Sequence, residues 1–283
     1  MFLAAWIIFC FSIITDRTKQ LIRSLNIPTG RFTLKICDDV NIVVPVLRPL
    51  QIRWNYDDID SLSFHTTLGE DFRDVRPRKL TKEGFHLGDW IRHLLTIFNH
   101  EEVKRMVLSA ITETSTKDYR LLLPNVKQLS VHQCRSENRE SIQEVIIQNY
   151  DYLEVSPYIR LSLDHYLLMN SSYIKMQHKM SQRKVNRFIR HWIQGSNPRL
   201  KVLDYWRLIK RPKLQKILKG IAYQVVTGDH VRVFDIQGYT PYTEADVIVD
   251  SGYNIQRGDG TQATIHIQYY HRIGFRLFLL VWN

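Results

Sequence analysis

Residues 182–205 read Gln-Arg-Lys-Val-Asn-Arg-Phe-Ile-Arg-His-Trp-Ile-Gln-Gly-Ser-Asn-Pro-Arg-Leu-Lys-Val-Leu-Asp-Tyr. Val185, Phe188, Ile189, Trp192 and Ile193 recur at i, i+3, i+4, i+7 and i+8, which is one apolar stripe on a helix. Gly195 stands where that helix should stop, because glycine enters the left-handed region without a Cβ clash. Asn197-Pro198 bars any continuation. Leu200, Leu203 and Tyr205 then form a short extended run. The stretch therefore predicts one helix–loop–strand unit of a larger α/β body.

Asn-Arg-Phe-Ile-Arg-His-Trp-Ile-Gln-Gly-Ser-Asn-Pro-Arg-Leu, from Asn186 to Leu200, resembles the signature of the nematode F-box-associated domain, type 2. The segment from Gly252 to Thr264 is similar to the closing stretch of the same family. Together the likenesses reach from about residue 11 to the end of the chain. Phe11 to Lys19 resembles the second half of an F-box, a helical module that docks the adaptor of cullin-based ubiquitin ligases. The resemblance implies that the opening of the F-box, with its Leu-Pro start and first amphipathic helix, lies ahead of Met1 or has been lost. It also implies a non-catalytic substrate receptor of such a ligase, whose associated domain grips a target protein. Phe11, Ile14, Arg17, Leu21 and Ile22 are then what remains of the adaptor-facing helix. Trp192, Gly195, Asn197 and Pro198 match the signature, with a structural role: the Trp fills the core and the Gly-x-Asn-Pro sets the turn.

The N-terminal run admits a second reading. Residues 1–14 are apolar except Ser12. No basic residue precedes the run, no Ala-x-Ala-like site follows it, and it is shorter than the roughly 18 apolar residues a span needs. A secretory or anchor segment is thus the weaker alternative to a buried helix. Helical spacing continues through Phe11, Ile14, Thr18, Leu21, Ile22 and Leu25 to Asn26 and Pro28. Cys10, Cys37 and Cys134 are odd in number and far apart, which favours a reducing compartment, cytoplasmic or nuclear, over a disulfide framework.

Elsewhere the periodicity predicts strands over 32–37, 41–46 and 52–56, a polar loop or meander over 57–84, and a helix carrying Trp90, Ile91, Leu94, Leu95, Ile97 and Phe98. An L-x-x-L-x-L pattern begins at Val103, Val126 and Tyr150, steps within the 20–29 residues of leucine-rich repeats. Leu163, Tyr166 and Leu168 fit it again off period, as do Leu200, Leu203 and Tyr205 after the long helix. Thr112–Leu123 and Glu137–Gln148 between the repeats are helix-capable. From Ile221 the chain is rich in strand patterns, at 231–236, 245–250, 263–270 and 275–282, separated by glycine-containing turns. The fold class expected is α/β: an irregular leucine-rich-repeat-like strand–helix stack, a short N-terminal helical F-box remnant, and a C-terminal antiparallel β meander that caps the open end of the stack. The boundaries expected are 1–27 for the remnant, 28–102 for the first strands, loop and helix, 103–210 for the repeat-like domain, and 211–283 for the cap.

No catalytic motif stands out, and no cofactor or metal is expected. His86, Asp89 and His93 share a helix face without a third ligand, which reads as a polar rim. Arg257-Gly258-Asp259 spells an adhesion tripeptide inside a predicted hairpin, a coincidence of letters. Asn170-Ser171-Ser172 is a glycosylation sequon only in a secreted chain. The charge is more informative. The chain carries +11, yet residues 179–219 hold thirteen Lys/Arg and one acid, Asp204, so the rest is −1. Two readings stay open for this cluster. One is the solvated face of an amphipathic helix, with its C-terminal cations favoured by the dipole. The other is a surface for an acidic partner, with Arg183, Arg187, Arg190 and Lys201 as target contacts. Tyr205 and Trp206 could stack nucleic-acid bases, but Phe188 and Trp192 lie on the apolar stripe. Nucleic acid is therefore the weaker partner reading, and a membrane partner is not expected. A protein-interaction module without adaptor docking is the remaining alternative.

Overall fold

The computed structural model describes residues 12, 14–27, 33–36, 39–45, 49–55, 61–66, 78–81, 87–108, 126–132, 144–159, 161–177, 180–208, 212–228, 231–236, 246–270 and 274–282. Phe11, Lys179, Lys210, Arg211, His86, all three cysteines and the helix-capable stretches at 112–123 and 137–143 lie outside them. The chain divides into two compact units, Met1–Val126 and Lys127–Asn283.

In the first unit, β1 (Thr33–Ile36), β2 (Asp39–Pro45), β3 (Pro49–Asn55), β4 (Ser61–Thr66) and β5 (Arg78–Thr81) run as an antiparallel meander. The polar stretch read as loop or meander thus holds two short strands. β6 (Arg105–Leu108) joins the other edge of β1 in parallel. Helix α1 (Asp16–Ser24) starts at Thr15, whose hydroxyl accepts from Thr18 N at 3.1 Å. The apolar period read straight through residues 11–25 is interrupted there, because that cap (worth about 1 kcal/mol) opens a fresh helix. Helix α2 (Leu87–Ile97) buries Trp90, Ile91, Leu94 and Ile97, as its stripe predicts.

In the second unit, β7 (Gln128–Val131), β8 (Tyr152–Val155), β9 (Tyr173–Met176) and β10 (Val202–Leu208) pair in parallel. Helix α3 (Leu163–Leu168) links β8 to β9, and α4 (Gln182–Ile193) links β9 to β10. A parallel pair requires such a crossover. After α5 (Leu214–Ile217) the sheet turns antiparallel. β11 (Gln224–Val226), β14 (Gly252–Gln256), β15 (Gln262–Tyr270) and β16 (Gly274–Val281) pair in sequence order, and β16 also lies against β10. The meander thereby closes the open edge of the parallel strands. β12 (Arg232–Phe234) and β13 (Val247–Val249) form a separate two-stranded ribbon.

The sheet of this unit has two unlike faces, because alternate side chains point opposite ways. One is apolar: Leu129, Val131, Leu153, Val155, Ile174, Met176, Leu203, Leu277 and Leu279 are all buried. Val185, Phe188, Ile189 and Trp192 of α4 are buried as well. Each such side chain withdrawn from water contributes about 1.5–3 kcal/mol. Tyr205 accepts from Met180 N at 2.6 Å and donates to Met180 O at 3.1 Å. Burial pushes this phenol above its ordinary pKa, against the pull of the Met180 backbone. On the other face, Tyr152, Tyr173, Val202, Phe278 and Leu280 pack with Phe234, Ile236, Val247 and Val249 of the ribbon segments.

Candidate interaction surfaces

Beside that apolar patch the same face carries buried charge. The strand register sets Ser130, Glu154, Lys175 and Asp204 in one row across the four parallel strands. All four are buried. Glu154 accepts from Ser130 Oγ and Tyr152 OH at 3.2 Å and from Gln177 Nε2 at 2.9 Å, with Lys175 Nζ at 3.9 Å. Asp204 is wholly buried. It accepts from Arg276 Nε at 2.7 Å and Arg276 Nη2 at 2.6 Å, and from Tyr173 OH and Trp206 Nε1, each at 2.9 Å. The Arg276 guanidinium lies 4.1 Å from the Trp206 ring centre and 4.4 Å from that of Phe278. The Trp206 ring also stacks on Tyr270. Both carboxylates are consumed by donors, so the row acts as a polar clamp on the sheet. His266, farther along the face, bonds Ser251 O through Nδ1 at 2.6 Å.

The signature residues are joints. Trp192 has no exposed surface. Gly195 adopts φ +103° and Asn197 φ +51°. The buried Asn197 amide donates to Tyr166 O at 3.2 Å and to Met169 O, fastening the end of α3 to the turn after α4. Gly258 N donates to Ile193 O at 3.1 Å, and the Arg257 guanidinium stands 5.4 Å from the Trp192 ring centre. The two stretches that resemble the family signature and its closing segment therefore meet at the C-terminal end of α4. Gly252 is confined as well: a Cβ there would stand 2.8 Å from Ile265 O.

The positions expected to meet partners fall in different surroundings. On the first unit, Ile14, Leu21 and Leu25 are 63%, 61% and 57% exposed. Arg17 is also exposed. Ile22 is buried, and Ser12, also buried, lies 2.7 Å from His93 Nε2 across Oγ. Ile22 thus turns inward while Leu21 and Leu25 beside it face solvent, and Ile14 lies ahead of the Thr15 cap. Asp89 binds Arg92 at 3.1 Å. Among the described residues no group of three metal-ligating side chains comes together. The adhesion-like tripeptide is internally closed: Arg257 Nε donates to Asp259 at 2.9 Å, and this bond holds that carboxyl well below the usual range.

On the second unit, Arg183, Lys184, Arg187 and Arg190 are exposed along α4, while Lys201 is half-buried at the entry to β10. Asn186, which the sequence reading passed over, is buried beneath them. Its amide donates to Ile217 O at 2.7 Å and Lys219 O at 2.9 Å. This ties α5 to the flank of α4 and brings the exposed Lys213, Lys216 and Lys219 beside the arginines. Asn186 had a sequence signal, an amide at the edge of the apolar stripe. Arg276 and Asp204 also had one, charges in the middle of apolar strands.

The second unit is thus a mixed α/β domain with charge clamped inside one sheet face and cations displayed on α4 and α5. Residues 141–205, which contain β8, α3, β9, α4 and the start of β10, match the F-box associated family model. A curated relative, the F-box associated domain-containing protein sdz-33 of Caenorhabditis elegans, is 26% identical over 272 residues, covering 87% of each chain. In these two comparisons the chain is similar to nematode F-box-associated domain proteins, most specifically over residues 141–205. No solved structure matches it.

Proposed function

We propose that this chain is a non-catalytic substrate-recognition subunit of a cullin–RING ubiquitin ligase, working in the cytoplasm or nucleus. Its F-box-associated domain holds a target protein, and its N-terminal helix meets the ligase adaptor. The family match supports the first half. The observation that carries the second is an exposed apolar stripe, Leu21 and Leu25 at the end of the helix with Ile14 just ahead of its Thr15 cap, beside the buried Ile22. Such a stripe gains about 25 cal/mol for each Å² of apolar surface a partner covers. In the same reading, the parallel strands whose register aligns Gln128, Tyr152, Tyr173 and Val202 form an irregular leucine-rich-repeat-like stack. Such stacks offer extended binding faces.

The burial of Ile22 and Ser12 within the first unit favours a second reading. There the helix is a structural part of the chain, and the protein is an interaction module that binds a target without delivering it. A pull-down of the chain with purified ligase adaptor separates the two. Capture that is lost in Leu21→Glu supports the receptor. Absence of capture, from this chain and from any transcript extended upstream, refutes it and leaves the interaction module.

A further inference from the structure

The cations of α4 are placed against the helix's own stability. Arg183 and Lys184 stand in its first turn, which holds no acid. There the macrodipole repels positive charge. Arg183 and Arg187 are i,i+4 neighbours of like sign, and Arg187 and Arg190 follow at i,i+3, so they repel as well. Only Arg190 and His191 sit in the last turn, where the dipole favours them. The dipole therefore accounts for one end of this basic face and opposes the other.

No described acid relieves it. Asp204 is the single carboxylate between residues 179 and 219, and it is buried on the far face of the sheet in its bond to Arg276. Elsewhere Arg92, Arg199 and Arg257 each hold a carboxylate. Among the described residues, none of the exposed cations of α4 and α5 does. At about 100° per residue, Arg183 and Arg190 share the flank of α4 next to Gln182 and Asn186. That flank faces α5, since Gln182 Oε1 accepts from Lys213 N at 3.3 Å and Asn186 holds Ile217 O and Lys219 O. Six cations are thus collected by two tethered helices into one ridge.

We propose that this ridge, Arg183, Arg187 and Arg190 with Lys213, Lys216 and Lys219, is the docking surface for an acidic segment of a target protein. The inference rests on the reading of the F-box-associated domain as the part that holds the target, and not on adaptor docking. Charge complementarity selects an acidic occupant. The aromatic residues select protein over single-stranded nucleic acid. Phe188, Trp192 and Tyr205 are buried in the core, and Trp206 is taken up between Arg276 and Tyr270. Within the basic segment itself no described Phe, Tyr or Trp is therefore left open for bases to stack on, and Tyr223, exposed four residues past Lys219, meets Tyr253 edge-on.

The test is fluorescence polarisation on the full chain with three labelled probes: a Glu-rich helical peptide, its Gln counterpart, and a DNA oligonucleotide, single-stranded and duplex. The expected result is binding of the Glu peptide that weakens with salt and is absent for the Gln peptide. The combined reversal R183E/R187E/R190E lowers that affinity at least tenfold, while R23E/K104E/K127E, equal in charge and outside α4 and α5, leaves it within twofold. Circular dichroism of both variants checks that the fold is kept. Glu-peptide binding that survives the α4 reversal, or its absence from the parent, overturns the proposal. Tighter binding of either oligonucleotide, lost on the same reversal, overturns it in favour of nucleic acid. The adaptor pull-down, repeated with the α4 variant, scores the ligase reading separately.

Discussion

Consider replacing Asp204 with asparagine. The side chain keeps its volume but loses its charge, and one of the two oxygens that take Arg276 becomes a donor. Arg276 is buried and is held by Asp204 at 2.7 and 2.6 Å. A buried cation deprived of its partner costs about 3–5 kcal/mol. The Tyr173 hydroxyl and the Trp206 indole each also weaken a bond to that oxygen, at about 1 kcal/mol for a neutral acceptor. An estimate of about 4 kcal/mol is thus conservative, and it is a large part of the roughly 5–15 kcal/mol that keeps a domain folded. With a urea slope of about 2 kcal/mol/M, the midpoint should fall by about 2 M. Trp206 stacks beside the pair, so its fluorescence reports the transition. The companion is Asp204→Leu with Arg276→Met, which removes both charges. Replacing a whole buried pair by apolar groups is near neutral or stabilising, so the double variant should be more stable than Asp204→Asn. A midpoint shift below about 0.5 M for Asp204→Asn, or a double variant no better than the single, would refute the clamp.

Other outcomes follow from the same geometry. Arg183→Glu should raise stability by about 0.5–1 kcal/mol, through the dipole and a new i,i+4 pair with Arg187, while weakening the Glu-peptide complex; a lower thermal midpoint would contradict the assignment of unfavourable charge to the first turn. Ile22→Ala should cost about 2–4 kcal/mol and Leu21→Ala less than about 0.5 kcal/mol, read by denaturant midpoints, since only the former is buried. Gly252→Ala should destabilise by more than about 1 kcal/mol because its Cβ meets the Ile265 carbonyl; a neutral result in thermal melts would mean that β14 and β15 separate at little cost. Asn186→Ala strips two carbonyls of their donor and should loosen α5, seen as faster amide exchange across 214–220 with α4 unchanged.

The local parts of the fold were legible because they depend on neighbours in sequence. Val185, Phe188, Ile189 and Trp192 announced α4, and Gly195 with Asn197 announced its end, since periodicity and positive φ are properties of a few adjacent residues. Trp90 to Phe98 gave α2 in the same way. The break at Thr15 was missed because the apolar period of 11–25 runs on through it, although Thr15 and Thr18 are a cap spaced at three. The clamp was half visible. Tyr-Leu-Glu-Val, Tyr-Ile-Lys-Met and Val-Leu-Asp-Tyr each place one charge third in an apolar strand. Only the register shows that these charges share a row. Arg276 as the partner of Asp204 was beyond local reading, because a separation of 72 residues in sequence is closed only by the pairing of β10 with β16. The ridge was visible as net charge, and Asn186 as an amide at the edge of the stripe, but its bonds to Ile217 O and Lys219 O, 31 and 33 residues away, were not.

The position of β16 bears on the order in which this domain is made. β10 is complete at residue 208, yet the strand that covers its edge ends at Val281. At synthesis rates of about 5–20 residues per second, that edge waits several seconds on the ribosome for its neighbour. A bare strand edge invites foreign strands. During the wait Asp204 has no Arg276 to neutralise it, and a lone carboxylate in the middle of an apolar strand repels any sheet that would bury it. The residue that clamps the finished sheet is thus also the guard of the unfinished one. Ribosome-bound chains stalled before residue 274 should aggregate more readily with Asp204→Leu than with the native aspartate.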